Sequence, residues 1–248
     1  MEISNPWPEK VQFFNLNVNV LDRKELFSTL RQYLSTTSQI SINFLNFHCF
    51  NIAQKDAEYR HALRNCTLLL NDGVGIDIAG KLIGVDFKEN LNGTDFIPEL
   101  FDFFAVSGMS VFCFGAKKEV IENAVRKIEI NHPGLTIVGY SDGYINDPTS
   151  VIDQINTSNA DAVILGLGVP LQEIWVDKYS HDVKTARVFV SGGAIFDFIS
   201  GNVMRAPLFM RRVKLEWLFR LIQEPTRLFS RYVLGSLVFL YHIVVLRK

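Results

Sequence analysis

The stretch that decides the fold is residues 68–80, Leu-Leu-Leu-Asn-Asp-Gly-Val-Gly-Ile-Asp-Ile-Ala-Gly. Three leucines read as the end of a buried strand. Asn71-Asp72-Gly73 then breaks the run with turn chemistry. Ile76, Ile78 and Ala79 open an apolar pattern at helical spacing. A carboxylate, Asp72, therefore stands where a strand hands over to a helix, and ligands of open α/β sheets bind at that edge. The same residue type also caps helices and closes turns, so position alone leaves both roles open.

The pattern extends in both directions. Residues 11–20 alternate like one strand, and Asp22 reads as the cap of a helix running to about Leu34. Residues 40–47 read as a strand, 50–64 as a helix and 67–70 as the central strand. Asn92-Gly93-Thr94-Asp95 is a second turn and cap, opening a helix through Phe96, Ile97, Leu100, Phe101 and Phe104. From residue 109 the alternation becomes regular. Strands are expected at 111–114, 135–140, 162–167 and 188–191, with helices at 117–130, at 148–157 and from Gly168-Val169-Pro170 onward. Pro170 suits a first helical turn. This alternation predicts parallel βαβ units: an α/β fold with a Rossmann-like parallel-sheet core.

The tail is different. The chain has 248 residues and a net charge of −1, which argues against a nucleic-acid partner. The nine Lys and Arg from Arg205 onward face only Glu216 and Glu224, so the tail carries +7 and the body −8. That asymmetry points to an anionic partner. The expected division is a core over 1–201 and a mainly helical, basic appendage over 202–248. The last apolar run, 233–246, is too short to span a bilayer but suits an interfacial helix, so no spanning helix is expected. An exposed apolar tail also invites self-association. Cys49, Cys66 and Cys113 read as core residues of a reducing compartment, and the first eight residues show no signal-peptide pattern.

Several candidate site residues follow. Gly166-Leu167-Gly168 after a strand hints at dinucleotide binding, but Pro170 and Gln172 break the fingerprint. A diphosphate held by backbone amides at this helix start fits better. Gln172 and Glu173 lie in that first turn and can either complement the helix dipole or contact a sugar. Asn46 ends a strand where an apolar residue is the default. No Asp-x-Asp pair exists to hold a divalent ion on a nucleotide diphosphate, and no metal-ligand cluster or nucleophile motif replaces it.

Seven short motifs, in order along nearly the whole chain, resemble the WecG/TagA/CpsF family of bacterial glycosyltransferases. They are Asn71-Asp72-Gly73-Val74-Gly75, Gly93-Thr94-Asp95, Asp142-Gly143-Tyr144, Gly168-Val169-Pro170-Leu171-Gln172-Glu173, Arg205-Ala206-Pro207, Glu216-Trp217-Leu218-Phe219-Arg220 and Glu224-Pro225-Thr226-Arg227. The resemblance implies inverting, cofactor-free sugar transfer from a UDP-sugar, with UDP-glucose or UDP-N-acetylmannosamine as candidates. The implied acceptor is a sugar on a polyprenyl-diphosphate lipid, at the cytoplasmic face of the bacterial plasma membrane, in cell-surface polysaccharide synthesis. It further implies Asp72 as the catalytic base. Donor contacts would come from Asn46, Gly73, Gly93, Asp95, Gly168, Pro170, Gln172 and Glu173, and diphosphate contacts from Arg205, Arg220 and Arg227. The absence of an acidic pair adds the expectation of metal independence. Three positions depart from the family pattern. Phe44 stands where many members have threonine, Leu171 where many have a basic residue, and Asn90 near a common arginine. The missing threonine motivates the alternative, a non-catalytic membrane-docked protein that binds a sugar nucleotide or glycolipid.

Overall fold

The computed structural model describes residues 8, 10–34, 39–145, 147–213 and 215–246. Three of the tail's basic residues, Lys214, Arg247 and Lys248, and residues 1–7 of the N-terminal reading lie outside them.

Six parallel strands form the sheet: β3 (Ile40–Leu45), β4 (Leu68–Asn71), β5 (Ser110–Gly115), β6 (Thr136–Ser141), β7 (Ala162–Gly166) and β8 (Val188–Ser191). Their spatial order is β4-β3-β8-β7-β5-β6. Period-two alternation sends successive side chains to opposite faces. Thus Leu68 and Leu70, Val111 and Cys113, and Ile164 and Val190 pack in one core layer. Leu69 packs in a second layer, and Phe112, Leu165 and Phe189 in a third, both on the other side. Both faces are covered, which explains the continuous apolar runs.

The first layer lies under α1 (Arg23–Leu34), α5 (Gly93–Val106), α6 (Lys118–Asn131) and α9 (Ile195–Ser200). The opposite face is covered by α2 (Phe47–Lys55), α3 (Ala57–Asn65), α7 (Pro148–Ser158) and α8 (Leu171–Tyr179). The first turn of α1 is a reciprocal capping box. Asp22 accepts from the Glu25 amide at 2.9 Å, and Glu25 accepts from the Asp22 amide at 3.0 Å.

The fold corrects three local expectations. Residues 11–20 form a hairpin, not one strand: β1 (Lys10–Phe13) and β2 (Leu16–Asn19) turn at Phe14, whose φ is +53°. The helix expected over 50–64 is two, because Asp56 ends α2 and caps α3 by accepting from the Tyr59 amide at 3.0 Å. And β4 is an edge strand of the sheet, not its centre. Its open edge is covered, and buried Asn19 accepts from the Leu69 amide there at 2.9 Å.

After α9 the appendage contains α10 (Leu208–Arg212), α11 (Glu216–Gln223), α12 (Pro225–Phe229), a π-helical turn (Ser230–Leu234) and α13 (Gly235–Leu246). The last three run on as one helix, Pro225–Leu246, of 22 residues with a mean hydropathy of 1.7 over its most apolar window. By length and composition alone this helix is long and apolar enough to cross a bilayer, where the sequence showed an apolar run of about 14 residues. It also packs on the domain: Phe239 and Ile243 are buried in the layer of α2, and the Phe239 ring lies edge-on to Phe50 at 5.4 Å.

Candidate active site

The turn after β4 is rigid for a reason visible in its side chains. Buried Asn71 donates to Asp77 at 2.9 Å and to the Glu89 carbonyl at 3.0 Å. Asn90 donates to the other Asp77 oxygen at 3.2 Å and accepts from the Gly73 amide at 3.3 Å. Gly73 caps α4 (Val74–Leu82) at φ +87°, a conformation that favours glycine. Asp72 is thereby held at the carboxyl edge of the sheet, its own amide bonded to the Leu45 carbonyl at 2.9 Å.

Asn46 explains its odd place at the end of β3. Its oxygen caps α2, accepting from the amides of His48 and Cys49 at 3.1 and 3.0 Å. Its amide nitrogen donates to Asp72 at 3.3 Å. Burial pushes the Asp72 carboxyl up, outweighing the pull of the Asn46 hydrogen bond and the Arg231 charge.

A cleft of about 350 Å³ opens over this pair. Asn46, Asp72, Gly73, Asp95 and Arg220 line it, so five sequence candidates come together there. So do Asn90, Asn92, Thr94 and, from the end of α9, Phe198. The appendage supplies the far side with Arg211, Arg212, Glu216, Trp217, Arg220, Arg231 and Tyr232. Of the three carboxylates in the lining, Asp95 and Glu216 are ion-paired. Asp95 accepts from Arg205 at 2.7 Å and Arg211 at 3.3 Å, and Arg205 also reaches both Glu216 oxygens at 3.3 Å. Burial opposes ionisation of Asp95, but the hydrogen bonds from Arg205 and Asn92 hold its carboxyl below the usual range. Asp72 is held only by a neutral amide among the described residues.

The guanidinium groups divide in a way the sequence did not announce. Arg205 is engaged by Asp95 and Glu216 and does not line the cleft. Arg227 is 59% exposed, paired with Glu224 at 2.5 Å, and also outside it. Of the three expected diphosphate contacts only Arg220 reaches the cleft, where it lies 5.0 Å over the Phe198 ring. The other cleft cations, Arg211, Arg212 and Arg231, were legible only as tail charge. The Nε atoms of Arg211, Arg220 and Arg231 are buried without a hydrogen-bond partner.

Other candidates stand apart. Gly93 lies behind the cleft, where a side chain would meet the Phe44 ring at 3.2 Å. Gly168 and Pro170 sit at the start of α8 beyond the cleft's lining. Gln172 and Glu173 are buried. Gln172 accepts from the Gly193 amide at 2.9 Å and donates to Glu173 at 2.9 Å, tying the turn after β8 to α8. Burial pushes the Glu173 carboxyl up to about 7. Among the described residues no cluster of His, Cys, Asp or Glu is fit to hold a metal ion.

Comparison with known proteins gives the family. The family model described as "Glycosyl transferase WecG/TagA/CpsF family" matches residues 11–248. A Bacillus spizizenii protein named N-acetylglucosaminyldiphosphoundecaprenol N-acetyl-beta-D-mannosaminyltransferase is 39% identical over 175 residues, covering 71% of this chain and 68% of its own. A Bacillus subtilis protein of the same name is 36% identical over 197 residues, covering 79% and 77%. A Staphylococcus aureus one is 23% identical over 194 residues, covering 78% and 76%. With its carboxylate at the sheet edge and a match over nearly its whole length, the chain belongs to the WecG/TagA/CpsF family and is a glycosyltransferase.

Proposed function

We propose that the protein transfers N-acetylmannosamine from its UDP derivative to N-acetylglucosamine on a polyprenyl-diphosphate lipid, with inversion and without a metal. The observation that carries the reading is the cleft itself: among the described residues one carboxylate, Asp72, is free of ion pairs, and it stands among guanidiniums with unpartnered buried nitrogens. The choice of sugars follows the names of the Bacillus relatives, and UDP-glucose is the second donor to test. A β-linked product from an α-linked sugar nucleotide requires inversion.

In the step proposed, an acceptor hydroxyl oxygen bonds to the anomeric carbon as the bond from that carbon to UDP breaks. The hydroxyl proton passes to Asp72. A positioned base of this kind contributes roughly 10²–10⁴-fold in rate. Burial suits Asp72 to the task by raising its basicity. UDP leaves with its negative charge, which Arg220, Arg231 and Arg211 are placed to stabilise, since a guanidinium binds two phosphate oxygens at once. Asn46 orients the carboxylate. Gln172 and Glu173 act from behind, holding the Gly193 turn that leads into α9 and Phe198, the ring beneath Arg220. Residues 202–248 act as an appendage that completes the cleft and rests on the membrane surface at the cytoplasmic face.

A donor panel tests the reading. The full chain is incubated with UDP-N-acetylmannosamine, UDP-N-acetylglucosamine or UDP-glucose and a lipid-diphosphate N-acetylglucosamine acceptor, with and without EDTA. UDP release is expected with the first donor, dependent on acceptor and unaffected by EDTA. Release with no donor in the panel would overturn the reading, and loss in EDTA restored by magnesium would overturn its metal independence.

A further inference from the structure

One wall of the cleft is aromatic, and the step above gives it no role. Phe47 follows Asn46 directly and lies beside the reacting carboxylate's partner. Its ring centre is 6.1 Å from that of Tyr232, which is 6.2 Å from that of Trp217. The three rings line the cleft in sequence, one from the core, one from the π-helical turn and one from α11. Trp217 is left 41% exposed. The lining contributed by the approach to α5 is instead amide and hydroxyl: Asn90, Asn92 and Thr94. Aromatic rings joined to short polar groups match a pyranose, whose C–H face is apolar and whose rim is hydroxyls.

Two sugars meet in this reaction, and the placement separates them. The attacking hydroxyl must reach Asp72, so the acceptor ring lies against the base, where the wall begins. A ribose and a diphosphate separate the nucleobase from the reacting carbon, so the ring beside Asp72 meets a sugar and not a base. Two of the three rings belong to the appendage, whose outward residues Leu234, Leu237 and Leu240 are exposed. A lipid-borne acceptor arrives from such a surface. Resting on the transfer reaction proposed above, we infer that Phe47, Tyr232 and Trp217 form the acceptor-sugar subsite, with Trp217 as its outer platform.

The test uses the full chain and a short-chain prenyl-diphosphate N-acetylglucosamine. Trp217→Leu is expected to raise the acceptor KM about tenfold, the equivalent of one lost stacking contact, with donor KM and kcat at saturating acceptor little changed. Trp217→Phe should keep most of the acceptor affinity. The acceptor should alter the tryptophan emission of the wild type but not that of Trp217→Phe. An unchanged acceptor KM in Trp217→Leu, a raised donor KM instead, or an emission change that survives in Trp217→Phe would overturn the proposal. Failure of the transfer reading looks different: the wild type would make no product with any donor, while the emission titration would still report whether the acceptor sits on Trp217.

Discussion

At the scale of the residue, the same side-chain type does different work according to its partner. Arg220 and Arg227 both lie in family motifs, yet Arg220 faces the cleft over Phe198 while Arg227 pairs with Glu224 on the surface. Arg220→Lys should therefore lower kcat markedly, since an ammonium lacks the two-oxygen fork. Arg227→Lys should stay near wild type. Equal losses in steady-state assays would contradict the division. Glu173 gives a stability prediction with a definite sign. Burial pushes its carboxyl up to about 7 in the fold, from an ordinary value of 4.5. The folded state thus holds a proton that the unfolded chain has released between those values. Stability from this group is full below about pH 4.5 and lost as pH rises toward 7, a difference on the order of 3 kcal/mol. Glu173→Gln should flatten the fall in Tm over that window. An unaltered pH profile of Tm would show that the group titrates normally.

At the scale of the element, the body and the appendage are joined across the cleft by ions. Asp95 at the first turn of α5 binds Arg205 and Arg211, and Arg205 binds Glu216 at the start of α11. Asp95, expected as a donor contact, lines the cleft and is also bound into this latch. Asp95→Asn should increase hydrogen exchange over residues 205–223 and raise the donor KM. Adding Arg205→Met should cost little more, because the two act as one unit. Fully additive effects would separate them. What was legible here follows from what is local. Strands and their helices were readable because a buried strand is a run of apolar residues and caps such as Asp22 and Asn92 bond within three residues. Strand order was not readable, so β4 was expected at the centre. The hairpin turn at Phe14 was missed because a left-handed phenylalanine carries no turn signature. Asp72 and Asn46 were found because both end strands that turn out to be neighbours. Arg211, Arg231 and the aromatic wall were not, because helix packing alone brings the tail's side chains to the cleft.

At the scale of the whole molecule, the appendage presents basic residues, an exposed Phe209, and the outer face of a long apolar helix on which only Leu228, Phe239 and Ile243 are buried. Basic residues near an anionic leaflet contribute about 1 kcal/mol each. Co-sedimentation with anionic vesicles should be strong at low salt and reduced, but not abolished, at high salt, because the apolar contribution is not screened. No sedimentation with vesicles at any salt would remove the membrane from the account. Deleting residues 202–248 should abolish most transfer, since the cleft loses Arg211, Arg220 and Arg231 together, and it would expose Phe47 and Phe50. The central claim is that one carboxylate at the edge of the sheet takes the acceptor's proton. The direct measurement is single-turnover transfer by Asp72→Asn, with donor and acceptor affinities measured on the same protein. The account predicts unchanged affinities and a rate lower by at least about 10²-fold. A rate near wild type with both substrates bound would show that Asp72 is not the base.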